Sequence, residues 1–591
     1  MINIPPAFIY IIGALLIPLI RVRILKQALV LLIPAIAFWN LINMPHGTYW
    51  TYQFLDYELI LGRVDKLSMV FAYVFVIMSF IGMVYAIHIK EYGQHVAALL
   101  YVGCTLGVVF AGDMFTLFVF WEIMAISSVF LVFYRKTKRS LEAGFRYILV
   151  HLFGGCVLLC GIVIHAVTTG SLAFELFDFG TLAAKFILVG FLLNAAVPPL
   201  HAWLADAYPE ATITGAVFMT AFTTKSAVYV LLRGFPGVEL LVWMGAIMAL
   251  YGVVYAVLEN DIRRLLAYHI VSQVGYMICG IGLGSEMAIN GAAAHAFCHI
   301  LYKSVLFMGM GAVIYVTGRS KMTDLQGRSL YKKMPITLAL YMVGAFSISA
   351  VPLFNGFVSK TMIVAAAGAL HRPSIELMLH LASIGTFLHT GLKLPWGVWF
   401  GTNKGTEDVI EEAKEPPFNM LLAMGIAAGL CTLTGVYPKI LYDILPYPVD
   451  FHPYAISTVV AMMQMLVLTL AAFWIYIDKL GGEATVSLDT DWPYRMFGRA
   501  TLWFCNRPLN ALRSMGQDLL SKDVVSVGKI SKHPYVFLEM LWNSIQGKRV
   551  SYQELINKPY NENAYRFPIG FSACAAIIFL FLYGLIYMGV R

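Results

Sequence analysis

The stretch 291-GAAAHAFCHILYKSVLFMGMGAV-313 decides how the rest of the chain is read. It spaces His295, His299 and Lys303 four residues apart. At about 3.6 residues per turn, each step of four advances roughly 40°, so the three side chains share one helix face. The other faces carry Ala, Phe, Ile, Leu, Val and Met. Set in lipid, this helix draws a stripe of protonatable groups through hydrocarbon. That arrangement is costly and is normally found where ions or protons move.

Composition puts the stretch in lipid. Of 591 residues, 60% are hydrophobic and 13% charged, and a soluble chain carries roughly twice that charged share. The apolar residues fall in continuous runs of about 20, the length that spans about 30 Å of hydrocarbon. Continuity rather than alternation excludes a β-barrel. The expected fold is an all-α polytopic membrane protein of about 16 transmembrane helices. Its twelfth run, 334–370, is too long for one straight span and contains Pro352, Asn355 and Gly356, which predicts a break near its middle. The N-terminal segment MINIPPAFIYIIGALLIPLIRVR lacks a basic leader and a small-residue cleavage site, so it reads as the first span.

The net charge of +8 is not a nucleic-acid signal, because the basic residues fall mostly in short loops. Alternate loops hold Arg21/Arg23/Lys26, Lys90, Arg135/Lys136/Lys138/Arg139, Arg263/Arg264, Arg319/Lys321/Arg328/Lys332/Lys333 and Lys404/Lys414. This alternation assigns those loops to the cytoplasm and both termini to the opposite side of a cell (inner) membrane. The eight cysteines form no CxxC pair, so neither a disulfide framework nor a zinc site is indicated.

Residues 478–566 are too polar to span. From Pro508, one face gathers Leu509, Leu512, Met515, Leu519 and Leu520, with Arg513, Gln517 and Lys522 elsewhere. That pattern predicts an amphipathic helix along a surface, interrupted at His533–Pro534; a solvated cytoplasmic tail is the alternative. There is also an internal echo. Val197-Pro198-Pro199-Leu200-His201 and Val351-Pro352-Leu353-Phe354-Asn355 each interrupt an apolar run. Paired Pro-interrupted helices point to inverted repeats with half-helix termini at a binding site.

Five charged or titratable groups stand inside apolar runs: Glu122, Lys225, His299, Lys303 and Lys360. Three lysines and a glutamate at helix centres cost on the order of 10–14 kcal/mol together. The chemistry suits proton transfer, since ionisable groups drawn into hydrocarbon exchange protons more readily near neutral pH and imidazole titrates there already. Snorkelling from a helix end is the competing reading, strongest for Glu122 and Lys360. Metal binding by His295 and His299 is not expected, because Lys303 repels a cation and no carboxylate completes the set. His269 is a weaker candidate with a structural alternative.

In combination these motifs resemble the antiporter-like subunits shared by respiratory complex I, Mrp-type Na+/H+ antiporters and membrane-bound hydrogenases. The resemblance is close over roughly 60–440 and looser to the C-terminus. Trp121-Glu122 is similar to the family's fifth-helix glutamate, and Lys225 to its eighth-helix lysine. VPPLHAWLADAYPEA (197–211) is similar to the segment after the broken seventh helix. DIRRLLAYHIVSQVGY (261–276), HAFCHILYKSVLF (295–307) and NGFVSK (355–360) resemble the entry to the tenth helix, the eleventh-helix His/Lys motif and the broken twelfth helix. The polar C-terminal region and last span resemble the lateral helix and anchor of the longest members.

The resemblance implies N-terminal helices at 1–90, two inverted five-helix repeats at 91–235 and 236–402, and core helices at 403–480. A lateral amphipathic region at 481–566 and a terminal anchor at 567–591 complete the expected layout. It implies a proton relay through Glu122, Lys225, His295, His299, Lys303 and Lys360, within a complex of other membrane subunits. One position departs. The family's seventh helix usually has a lysine seven residues before the PLHxW histidine, and here that residue is Asn194. Thr361 also replaces an acidic residue common after the terminal lysine.

The expected function is proton translocation, with Na+ exchange as a variant, by a subunit of an Mrp, complex I-like or hydrogenase complex. No Rossmann pattern, cysteine cluster or P-loop is present, so no cofactor and no chemistry of its own is expected; a redox complex would hold its cofactors on other subunits. A non-pumping structural subunit is the second reading, favoured by Asn194. An independent transporter of an anionic solute is the third.

Overall fold

The structure, a computed structural model, describes residues 4–401, 413–477, 489–559 and 569–589. Lys404 and the expected boundaries near 402, 480 and 566 lie outside the described residues. Two compact units are present, Met1–Asp491 and Trp492–Arg591.

The chain is a multi-pass membrane protein. Among the described residues, 12 helices are long and apolar enough to cross a membrane, from Arg23–Ile42 to Ile456–Ile475. Four shorter apolar helices join them: Pro6–Leu19, Leu182–Asn194, Pro335–Ile348 and Ile569–Tyr583. One element departs from an all-helical chain. Gly47–Phe54 and Tyr57–Val64 pair as an antiparallel hairpin, with Gly47 opposite Val64 and Phe54 opposite Tyr57. The strands are rich in Tyr and Thr, which suit a pleated surface. Asp113 anchors the hairpin by accepting from the Ile60 amide at 2.7 Å.

The helix Glu286–Thr317 forms the centre of the first unit. Ser285 caps its N-terminus by accepting from the Ala288 amide, and Gly318, at φ 69°, ends it in the left-handed conformation. Its whole middle, from Ala288 to Val313, is buried. A helix packed on every side is a core helix. It packs against helices Ile262–Leu283, Asn355–Ala369, Pro335–Ile348, Ile213–Ala221 and Phe418–Val436.

Two helices break as the Pro-interrupted echo predicts, and they break in the same way. Leu182–Asn194 ends with Ala196 at φ 58°, and Pro335–Ile348 ends with Ala350 at φ 57°. The Ala196 and Val197 amides donate to Leu193 and Leu192 carbonyls at 3.0 and 3.1 Å. The Ala350 and Val351 amides donate to Ser347 and Phe346 at 3.1 and 3.0 Å. Both ends are therefore Schellman caps built on alanine where glycine is usual. A third break was not expected: the run 213–233 splits at Phe222 into Ile213–Ala221 and Thr223–Gly234.

In the second unit, Asp491–Phe504 leads through a π-helical turn at Cys505–Leu509 into Asn510–Lys532. Leu512, Met515, Leu519 and Leu520 are all exposed there. A second helix, Pro534–Ile545, follows the His533–Pro534 interruption.

Candidate functional site

Three buried lysines each donate to a carbonyl near a helix C-terminus. The break at Phe222 leaves the Thr220 carbonyl open, and Lys225 Nζ donates to it at 2.6 Å and to Thr224 Oγ1 at 3.0 Å. The break after Ile348 frees that residue's carbonyl, and Lys360 Nζ donates to it at 2.8 Å. Lys393 Nζ donates at 2.7 Å to Val257, in the last turn of Glu239–Leu258. The last turn of a helix carries partial negative charge, so each ammonium sits where it is electrostatically favoured. Lys303 differs. It is fully buried in the unbroken central helix, and its Nζ has no hydrogen-bond partner among the described residues. The Phe307 ring centroid lies 6.0 Å from the Lys303 Nζ.

The histidines are arranged around this lysine series. His299 is fully buried with both ring nitrogens unpaired among the described residues. Its ring centroid lies 6.3 Å from that of His295 and 5.2 Å from that of Tyr302. His295 Nδ1 lies 3.0 Å from Ser359 Oγ, the residue before Lys360. Tyr276 faces both sides, with its ring 5.9 Å from His295 and 4.9 Å from the Lys360 ammonium. Tyr302 Oη also reaches Gln273 at 3.4 Å, which in turn reaches Thr386 at 3.3 Å.

A second branch joins His269, a weaker candidate in the sequence, to His389 and Lys393, which the sequence reading did not single out. His269, fully buried and unpaired among the described residues, lies 6.0 Å from His389, ring to ring. His389 belongs to a π-helical turn, Phe387–Lys393, that ends at Lys393. Such widened turns recur at functional sites. The signal available beforehand was the H-T-G-L-K spacing inside an apolar run, which puts His389 and Lys393 four residues apart.

The first half is built differently. Glu122 faces Gly155, where a Cβ would fall 1.8 Å from its Oε1, so the carboxylate occupies space that a larger residue at 155 would take. Glu122 Oε1 has no hydrogen-bond partner among the described residues. Asn194, at the position where a lysine was expected, is turned to His151 instead, with Oδ1 2.8 Å from Nδ1. The His151 ring packs on Tyr147 and Trp203, with centroids 4.2 and 4.5 Å away.

The segment 197–211 works as a fastening. Trp203 Nε1 donates to the Leu193 carbonyl at 3.0 Å, across the helix break. Arg146 grips Asp206 through two bonds of 2.6 and 3.0 Å. Buried Arg263 donates to the carbonyls of Ala211 and Pro209. His201 meets Asp489 at 3.0 Å, and Tyr251 and Tyr268 donate to the same carboxylate. Burial raises the Asp489 pKa, but the bond and charge interaction with His201 and the two tyrosine bonds outweigh it. They hold the carboxyl well below the usual carboxylate range.

Broken apolar helices around a buried series of lysines and histidines define the class: a multi-pass membrane protein with a titratable axis at its core. The family described as NADH:quinone oxidoreductase/Mrp antiporter, TM, matches residues 111–388. An uncharacterized protein of Methanocaldococcus jannaschii is 31% identical over 358 residues, which is 57% of this chain and 73% of that protein. Hydrogenase-4 component B of Escherichia coli is 30% identical over 66% of this chain and 65% of its own length. A Na(+)/H(+) antiporter component of Alkalihalophilus pseudofirmus is 31% identical over 51% of this chain and 64% of its own length. The match thus spans less than two thirds of each of the latter two proteins. A chain of the archaeal membrane-bound sulfane sulfur reductase superposes with a TM-score of 0.68 at 24% identity, covering 98% of this chain and 99% of the other. A chain of the Mrp complex of Dietzia sp. DQ12-45-1b gives 0.65 at 20% identity, covering 78% and 98%. These two likenesses establish the fold. The chain belongs to the NADH:quinone oxidoreductase/Mrp antiporter family.

Proposed function

We propose that the chain is a proton-translocating subunit of a multisubunit membrane complex, with Na+ exchange as the variant its antiporter relatives suggest. Protons pass from Glu122 through Lys225 to His299 and Lys303, and on through His295 to Lys360. Water fills the gaps between them. The observation that carries the reading is Lys303: a fully buried ammonium-bearing side chain without a hydrogen-bond partner among the described residues, set among unpaired imidazoles. Such a group is expensive unless protons visit it. The matched caps at Ala196 and Ala350 support a layout of two inverted repeats, 91–235 and 236–402. The exposed leucines of Asn510–Lys532 serve as a lateral face for neighbouring membrane subunits. Loop charges put both termini on the non-cytoplasmic side.

The test is proton movement in vesicles carrying the whole complex. Lys225→Ala or Lys360→Ala abolishes it while the complex still assembles. Wild-type rates in both variants overturn the relay.

A second reading has its own observation. Asn194 is bonded to His151, and Glu122 Oε1 has no hydrogen-bond partner among the described residues, as in a subunit whose first half-channel is silent and whose work is to anchor its neighbours. It predicts that Glu122→Gln changes nothing, whereas the relay predicts a slower rate.

A further inference from the structure

Lys360 forms part of the lining of a cavity of about 260 Å³. Six lining residues carry the argument: Lys360, Glu376, His380, Ser383, Ser457 and Thr458, drawn from helices Asn355–Ala369, Pro373–Thr386 and Ile456–Ile475. The cavity is graded. Lys360 is only 1% exposed. Glu376 and His380, one helical turn apart and 3.8 Å from each other, have side chains 39% and 31% exposed. They sit in the first two turns of their helix. A void needs only about 10–15 Å³ to hold one water, provided polar partners are present. This one has room for several, and hydroxyls from Ser383, Ser457 and Thr458 to hold them.

We propose that this cavity is an aqueous port and that Glu376 and His380 are the outer proton-exchanging pair of the route. The inference rests on the relay proposed above and extends it by one step. The Lys360 ammonium releases a proton to cavity water and becomes an amine. The Glu376 carboxylate or the His380 imidazole takes that proton up and then yields it to bulk water. The loop charges put the near end, the 370–372 turn and the start of Ile456–Ile475, on the non-cytoplasmic face. Other charges leave the pair free to act. Helix Ile456–Ile475 contributes hydroxyls to the lining and no charge. Glu239, on the neighbouring helix, is engaged by Arg372 through bonds of 3.0 and 2.8 Å. The Glu376 carboxylate lies against Gly368, where a Cβ would fall 3.4 Å from Oε2. A lipid-filled crevice would not collect a carboxylate, an imidazole and three hydroxyls around a lysine.

Two measurements on the full chain in its assembled complex test this. Ser457→Cys and Thr458→Cys are each treated with a membrane-impermeant thiol reagent added from the non-cytoplasmic side, against the background of the native cysteines. Labelling of either is the expected result. Labelling by a lipid-soluble maleimide alone overturns the port. Proton movement is then compared in Glu376→Gln/His380→Gln and in Lys360→Ala. The double variant slows it at least about tenfold, and Glu376→Asp with His380 retained recovers most of the rate. A wild-type rate in the double variant, with Lys360→Ala inactive, removes the pair and leaves the relay standing. Wild-type rates in both remove the relay, and the port with it.

Discussion

Lys360 Nζ donates to the carbonyl oxygen of Ile348 at 2.8 Å, across twelve residues and a broken helix. The bond ties the lysine to the cap that ends Pro335–Ile348. That cap depends on Ala350 holding φ 57°, a conformation that favours glycine. Ala350→Val adds β-branching there and costs about 1–3 kcal/mol. It lowers the apparent melting temperature in detergent, and Ala350→Gly does not.

The contact between His295 and Ser359 gives a second prediction. At 3.0 Å it links the central helix stripe directly to the residue beside Lys360. Ser359→Ala slows proton movement in vesicles by about threefold to tenfold, a loss of about 1 kcal/mol of positioning. His295→Ala slows it further. An unchanged rate in both places His295 outside the route.

Gly155 offers a substitution that acts on Glu122 without touching it. A Cβ at 155 meets Glu122 Oε1 at 1.8 Å. The obstructed atom is the end of a flexible side chain, so Gly155→Ala swings the carboxylate away at a stability cost below about 1 kcal/mol. Assembly and melting temperature stay near wild type, and proton movement falls.

Asp489 accepts from His201, Tyr251, Tyr268 and the Thr490 amide. Asp489→Ala leaves four donors without their acceptor and costs roughly 1–3 kcal/mol. The pH dependence follows from the depressed carboxyl pKa. A depressed group contributes stability above its unfolded pKa, about 3.9, and that contribution is lost as pH falls toward the folded value. The melting-temperature gap between wild type and Asp489→Ala is therefore full at neutral pH and narrows below about pH 4.

Much of this architecture was legible in the sequence. Apolar runs of membrane length and costly internal charges declare themselves locally, residue by residue. Pro198–Pro199 and Pro352 marked the two breaks, because proline cannot continue the backbone ladder. The break at Phe222 had no such mark: Met219-Thr220-Ala221-Phe222-Thr223-Thr224 contains neither proline nor glycine. The carbonyl left open there is met by Lys225 Nζ, a partner that only the folded geometry brings into place.

Sequence by itself determined the class, the rough position of the apolar segments, and the buried titratable residues Glu122, Lys225, His295, His299, Lys303 and Lys360 within them. Their partners were decided by the tertiary structure. Asn194 chose His151, 43 residues away, over Glu122. His201 found Asp489 288 residues later, and His295 found Ser359 across 64. His389 and Lys393 gained meaning only beside His269 and Val257. The physical reason is the same in each case. Burial in lipid is a property of a residue and its neighbours along the chain, readable from hydropathy. A hydrogen bond inside the bundle is a property of two helices, settled by which faces pack together. The central helix announced in sequence that His295, His299 and Lys303 share one face, and folding alone decided which groups stand opposite them.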